Sequence, residues 1–296
     1  MTLRVAHISD VHWTSLPGVR QLPFKRALGT ANLYLGGRRH HFSSETRAAL
    51  MEHILTAQPD LLVFSGDITA QALDSEFEMA KTALSPILET IPTFIIPGNH
   101  DVYTWGAQKT NRVHKHFGQW MYKSDDIQML ADDRFVVIGL DPNRPHLILS
   151  SGRVPKAQLL QLAHILEGLQ GDSRPVILAI HYPILCRRGS IYNGLRHGLL
   201  NAQALIDVLD AAPRQPDIIL HGHEHHGYTV DLPLSGRPVP IFNCGSSGYA
   251  YMPDLRRAGA TNIYSFQSNE ITQVERFMFD GTAFTAEKGG AYSTGR

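Results

Sequence analysis

Several absences narrow this 296-residue chain before any motif is read. It has only two cysteines, Cys186 and Cys244. That is too few for a disulfide framework and is the usage expected of a reducing compartment. No apolar run approaches the roughly 18 residues of a membrane-crossing helix. Residues 1–9 are interrupted by Arg4 and His7 and do not resemble a secretory leader. The expectation is a cytoplasmic protein. Excess charge is also missing, because 27 Lys and Arg offset 27 Asp and Glu. No global field favours nucleic acid, and a DNA nuclease, which wants a broad basic stripe, is disfavoured. Repeats, low-complexity tracts and a Pro/Gly/Ser-rich linker are absent too, so residues 1–296 read as one domain. With 43% hydrophobic residues the chain can bury a full core unaided. What it holds in quantity is histidine, 16 in all.

Hydrophobic patterning predicts strands over residues 3–8, 61–64 and 93–96, alternating with helices over 24–35, 44–57 and 74–83. Ser44 is the expected N-cap of the second helix. Residues 128–130 and 135–140 read as a hairpin, and 176–180 and 218–220 as further strands among helices at 156–168 and 201–211. Shorter strands at 240–243, 264–267 and 274–279 close the chain. Strands alternating with helices and then a strand-rich end predict a layered α/β sandwich with mixed sheets.

The five most apolar strands share one feature. Each ends, on its carboxyl side, in Asp, Asn or His: Asp10 with His12, Asp67, Asn99 with His100, His181, and His221 with His223. Open α/β sheets place ligands outside the carboxyl ends of their strands. Carboxylate, carboxamide and imidazole gathered at one rim describe a metal site with oxygen and nitrogen ligands. No thiolate is available there, which suits Mn, Fe or Zn and argues against a structural zinc knuckle. In an extended chain Asp10 and His12 would point to the same side, as would His221 and His223. Any one of these motifs alone is an ordinary turn or a satisfied core histidine. Five in order, each directly after a strand, are not explained that way.

In this order the residues resemble the calcineurin-like metallophosphoesterase superfamily: Asp10-Val11-His12, Gly66-Asp67, Gly98-Asn99-His100-Asp101, His181, and Gly222-His223-Glu224-His225 preceded by His221. The resemblance covers residues 3–225 and implies a four-layer α/β/β/α sandwich of two mixed β-sheets flanked by helices. It implies two metal ions. Asp10, His12, Asp67 and His223 would hold the first; Asp67, Asn99, His181 and His221 the second, with Asp67 bridging and His225 and His226 left as extras. Two ions about 3.5–4 Å apart clamp an in-line displacement at phosphorus and make a bridging hydroxide available near neutral pH. By the same resemblance His100 would donate to a phosphoryl oxygen or to the leaving group. Asp101 would either orient it or cap a helix. Arg187, Arg188, Arg196 and His197, in a stretch resembling bacterial phosphodiesterase-type members, are candidates for substrate-phosphate contacts, with a solvated basic loop as the alternative.

One segment stands apart. Residues 11–44 carry Arg20, Lys25, Arg26, Arg38 and Arg39 and no acid. Apolar positions at helical spacing from Phe24 to Leu35 make a basic amphipathic insertion over about residues 17–42. Such a helix packs on its own domain, or lies on an anionic membrane surface or lipid through residues 20–39. The leading expectation is a dinuclear-metal phosphoesterase acting on phosphodiesters or pyrophosphates. One alternative is a peripheral hydrolase, at the inner membrane surface, of a lipid-linked nucleotide phosphate such as a UDP-diacylglucosamine-type pyrophosphate. His100 speaks against that branch, which typically has Arg there. An alternative of another class is a non-catalytic scaffold of the same fold, whose mark would be missing ligands; none is missing.

Overall fold

The computed structural model describes residues 2–18, 30, 38–145 and 150–287. Its strands build two mixed sheets. The first has β1 (Leu3–Ile8), β2 (Leu61–Phe64), β3 (Thr93–Ile95), β11 (Ala260–Gln267), β12 (Glu270–Phe279) and β13 (Phe284–Ala286), in the order β13-β12-β11-β1-β2-β3. The second has β4 (Lys123–Ser124), β5 (Ile127–Ala131), β6 (Val136–Leu140), β7 (Val176–Ile180), β8 (Ile218–His221), β9 (Gly227–Leu232) and β10 (Val239–Cys244), in the order β4-β5-β6-β7-β8-β10-β9. β1, β2 and β3 run parallel, as do β6, β7 and β8.

These central strands are apolar throughout because both of their faces are covered. Ala6, Ile8, Leu62 and Phe64 face helices α1 (Ser44–Ala57) and α2 (Asp74–Thr90), while Val5, Leu61 and Val63 face the other sheet. In β7, Val176, Leu178 and Ile180 meet α5 (Lys156–Gly168) and α6 (Ala202–Ala211), and Ile177 and Ala179 point inward. Alternation of side chains along a strand thus sorts one apolar run into two cores. The expected four-layer α/β/β/α sandwich is the observed one.

Local differences have local reasons. The cap of α1 is Ser43, whose hydroxyl accepts from Thr46 N, rather than Ser44. Helix α2 runs on to Thr90 through Pro86. The carbonyl of Thr82, which a proline four residues on cannot serve, is taken by the Ser85 hydroxyl. Two short helices, α3 (Trp105–Lys109) and α4 (Arg112–Phe117), and strand β9 were not expected. Of the helix expected over residues 24–35 only Thr30 is described, in helical conformation with its hydroxyl on Gln71 Oε1 at 2.9 Å; Arg20, Lys25 and Arg26 lie outside the described residues. No helix among the described residues is long and apolar enough to cross a membrane.

Candidate metal centre

The carboxyl ends of β1, β2 and β3 in one sheet and of β7 and β8 in the other converge at one rim. Here the chain leaves extended geometry. Asp10, His12, Asp67, His223 and His225 all take left-handed backbone, with φ of 53°, 53°, 57°, 75° and 57°. For residues with a Cβ this conformation is uncommon and costs about 1 kcal/mol or more each. Asp10 and His12 therefore meet through a turn rather than through the strand alternation the sequence suggested. The turns fit because glycine sits opposite them. A Cβ on Gly98 would lie 2.1 Å from Asp67 Oδ1, and one on Gly222 would lie 1.9 Å from Ser9 Oγ.

Both carboxylates are oriented the same way. Asp67 Oδ1 accepts the His100 N–H at 2.8 Å, leaving Oδ2 3.3 Å from His181 Nε2 and 3.7 Å from His12 Nε2. Asp10 Oδ2 accepts the His223 N–H at 2.9 Å, leaving Oδ1 3.2 Å from His225 Nε2 and 3.7 Å from His12 Nε2. One oxygen is fixed by main chain and the other is turned inward.

The histidines follow the same rule. The Nδ1–H groups of His12, His181 and His100 donate to the carbonyls of Thr69, Ser65 and Ala70 at 3.2, 2.8 and 2.6 Å. His223 donates through Nε2–H to His197 O at 2.9 Å. A carbonyl only accepts, so the second nitrogen of each neutral ring carries a lone pair. Those lone pairs face inward. His12 Nε2 lies 3.1 Å from His225 Nε2, and His223 Nδ1 and His181 Nε2 lie 2.9 and 3.2 Å from Asn99 Oδ1.

Two groups of donor atoms result, sharing Asp67. Asp10, His12, Asp67 and His225 offer ligand atoms all within 4.8 Å of one another. Asn99, His181 and His223 form a second group, joined to Asp67 through His181 Nε2 at 3.3 Å from its Oδ2. Acceptors facing acceptors in a buried site need positive charge among them, so this donor set fits a pair of cations. The titration of the polypeptide alone makes the same point. Burial opposes charge on His181, yet the Asp67 and Asp10 carboxylates outweigh it and push its pKa up to about 9. Burial pulls His223 down to about 3. The Asp67 and Asp10 carboxyls resist burial and are held below their ordinary range by the surrounding imidazoles.

The residues expected from sequence thus meet at one place, with one shift. The imidazoles facing the carboxylates and Asn99 are His223 and His225, in place of His221 and His223. His221 is fully buried at the end of β8, its Nε2 accepting from Ile184 N at 3.3 Å. The legible signal was Gly222, since a position with no room for a Cβ marks where the chain turns into the rim. Asp101 neither orients the His100 ring nor caps a helix; Thr104 caps α3. Its carboxylate accepts N–H groups from Ile68, Thr69 and Gly98 at 3.1, 2.9 and 3.0 Å, tying the Asp67 loop to the Asn99 loop. Burial and the neighbouring Asp67 charge push its pKa up to about 7 against those donors.

A cavity of about 270 Å³ opens onto this centre, bounded by Asp67, Asn99 and His100 on one side and by Ser150, Tyr192, His197 and Glu224 on the other. Of the four basic candidates only His197 lines it; Arg187, Arg188 and Arg196 are exposed outside its lining. Sequence reading missed Ser150, Tyr192 and Glu224, which come from loops with no periodic signal.

A family model described as calcineurin-like phosphoesterase matches residues 3–227. A probable glycerophosphodiester phosphodiesterase GpdQ from Arcobacter nitrofigilis is 29% identical over 69% of this chain and 68% of its own length. A probable cyclic nucleotide phosphodiesterase from Synechococcus is 25% identical over 82% of this chain and 79% of its own. Among solved structures, a dimetal phosphatase from Danio rerio superposes with a TM-score of 0.60 at 13% identity, covering 98% of this chain and 99% of that one. Purple acid phosphatase PPD1 from yellow lupin gives 0.57 at 12% identity, covering 97% of this chain and 53% of that one.

Proposed function

The chain belongs to the calcineurin-like phosphoesterase family, and on that premise we propose that it hydrolyses phosphodiesters at two metal ions held between its sheets. It is a metal-dependent phosphoester hydrolase. In the assignment proposed here, Asp10, His12, Asp67 and His225 hold one ion and Asp67, Asn99, His181 and His223 the other. The observation that supports this most is the inward set of lone pairs and carboxylate oxygens, with Asp10, His12, Asp67, His181 and His223 each fixed by a main-chain hydrogen bond on the far side. The oxygen and imidazole donors, without thiolate, suit Mn, Fe or Zn. When bound, such ions neutralise phosphoryl charge and lower the pKa of an attacking water.

The chain's own residues supply the rest. Asp67 and Asn99, at the cavity wall, set where phosphorus sits. His100, with Nδ1–H committed to Ala70 O and its ring stacked on Tyr103 at 5.5 Å, presents Nε2 to the cavity. In its protonated form it donates to the departing oxygen as water's oxygen bonds to phosphorus and the ester bond opposite breaks. The products are an alcohol and a phosphomonoester. A complete ligand set favours this over a scaffold role. The lipid-phosphate alternative rests on a segment mostly outside the described residues. Two unpaired cysteines support a cytoplasmic location, and two sheets sharing one inner core support reading residues 1–296 as one domain.

The test restores Mn, Zn, Fe or Mg in turn to metal-stripped protein and follows hydrolysis of an aryl phosphodiester beside its monoester. Metal-dependent diester cleavage is expected. No cleavage of the diester with any metal overturns the proposal.

A further inference from the structure

The wall of the cavity opposite the metal-facing residues has a chemistry of its own. It is built from a stitched pair of loops: Ser150 N donates to Arg196 O at 2.9 Å, Gly152 N to Gly198 O at 3.0 Å, and Leu200 N to Gly152 O at 2.9 Å. Leu199 N closes back on Tyr192 O at 2.7 Å. Ser150 Oγ and His197 Nδ1 lie 2.6 Å apart, and the Tyr192 ring sits 6.3 Å from the His223 ring. This wall carries Tyr192 in a fixed place, with its hydroxyl in the neighbourhood of the Glu224 carboxylate. Glu224, between His223 and His225, lines the same cavity as Asp67 and Asn99. A carboxylate is an odd neighbour for a phosphate. It repels a second negative charge and can only accept hydrogen bonds.

We propose that Glu224, positioned by Tyr192, is a specificity-determining residue that excludes dianionic monoesters and binds hydroxyl groups on a short alcohol arm of a phosphodiester. The inference rests on the phosphodiesterase reading above and refines it. The diester's single negative charge is met at the metal-facing wall, so a second charge placed toward Glu224 is unfavourable. A hydroxyl placed there gains a charged acceptor that a bare alkyl chain leaves desolvated and unpaired. The size agrees. A cavity of about 270 Å³ that also holds the phosphoryl position lies below the roughly 300–1,000 Å³ of sites for drug-sized ligands, which suits a small diester. Arg187 is within electrostatic reach of Glu224 from outside the lining.

The experiment uses the metal-loaded full chain and three probes with one chromogenic group: the 4-nitrophenyl esters of glycerol phosphate and of propyl phosphate, and 4-nitrophenyl phosphate itself. The first two share charge and approximate size and differ in hydroxyls. Wild-type kcat/KM is expected to favour the glyceryl over the propyl diester by about tenfold or more. Glu224→Gln is expected to bring that ratio down to about one to three and to raise the monoester relative to the propyl diester by about tenfold. Tyr192→Phe should move the first ratio the same way by a smaller factor, and it decides the matter if the Glu224 variant does not fold. A wild-type ratio near one, or ratios unchanged in the variants, overturns the inference while leaving the phosphodiesterase reading intact. Cleavage of none of the three probes with any metal overturns both.

Discussion

At the amino ends of β7 and β8, Asp217 and Arg214 are nearly as deeply buried as Asp10 and Asp67 are beyond the carboxyl ends of β1 and β2. The two clusters are finished differently. Asp217 Oδ2 takes the Arg214 guanidinium at 2.5 Å and the Val176 N–H at 2.8 Å, and Oδ1 takes Arg237 at 2.5 Å. Arg214 also donates to the carbonyls of Asp172 and Arg174 at 3.2 and 3.0 Å. Every charge there has its opposite. At the rim each carboxylate is held by main chain on one oxygen only, and the His12, His181 and His223 imidazoles are held on one nitrogen. A closed buried cluster holds strands together. A half-closed one, paired with a cavity, waits for a cation and a substrate.

The sharpest way to break this contrast is to remove the shared carboxylate of the open cluster. Asp67→Asn should lower kcat/KM for a diester by about a thousandfold and reduce bound metal from two ions per chain, read by elemental analysis. His225→Ala should cost about a hundredfold in activity or metal affinity, while His221→Gln keeps both ions, because the latter's ring faces Ile184 N. The reverse result would restore the register expected from sequence. Asp217→Ala tests the closed cluster. It leaves the Arg214 guanidinium buried and uncompensated, so chemical denaturation should report a loss of about 3–5 kcal/mol. The kcat/KM of the remaining folded protein should change by less than about twofold, since the substitution touches no group in the cavity.

The smallest effect concerns a polar group that belongs to neither cluster. His53 packs on Phe277 and Phe284, with ring centroids 4.5 and 5.6 Å away, and its Nε2 has no hydrogen-bond partner. Burial lowers its pKa to about 4. Between pH 6.5 and 4 the unfolded chain takes up a proton that the folded one refuses, so the stability present above pH 6.5 is lost as pH falls to 4. With partial exposure discounted, this amounts to about 1–2 kcal/mol at pH 5. His53→Phe should flatten that part of the stability profile.

The strands were legible because two-sided burial makes them continuous apolar runs, as in Leu61–Phe64 and Val176–Ile180. The residues gathered at the rim were legible because polar groups ending such runs have few other reasons to be there. What pattern could not give is the path after the strand. Whether His221 or His223 turns toward Asn99 depends on left-handed dihedrals at His223 and His225, and periodicity carries no trace of these. Strand β9 was hidden for a related reason, since its residues read as a continuation of the histidine-rich loop. The Ser150 and Tyr192 wall depends on a contact across more than forty residues, and local sequence holds no sign of it.

The two sheets are pinned to each other at the rim by His223 N–H on Asp10 Oδ2 and His181 Nδ1–H on Ser65 O. Groups from both sheets are therefore in register before any substrate arrives, and turnover needs no closing of one half of the molecule on the other. The cycle is then expected to turn on local events, exchange of water and departure of an alcohol. Its rate should follow the chemistry of the leaving group, and it should be nearly indifferent to the viscosity of the medium.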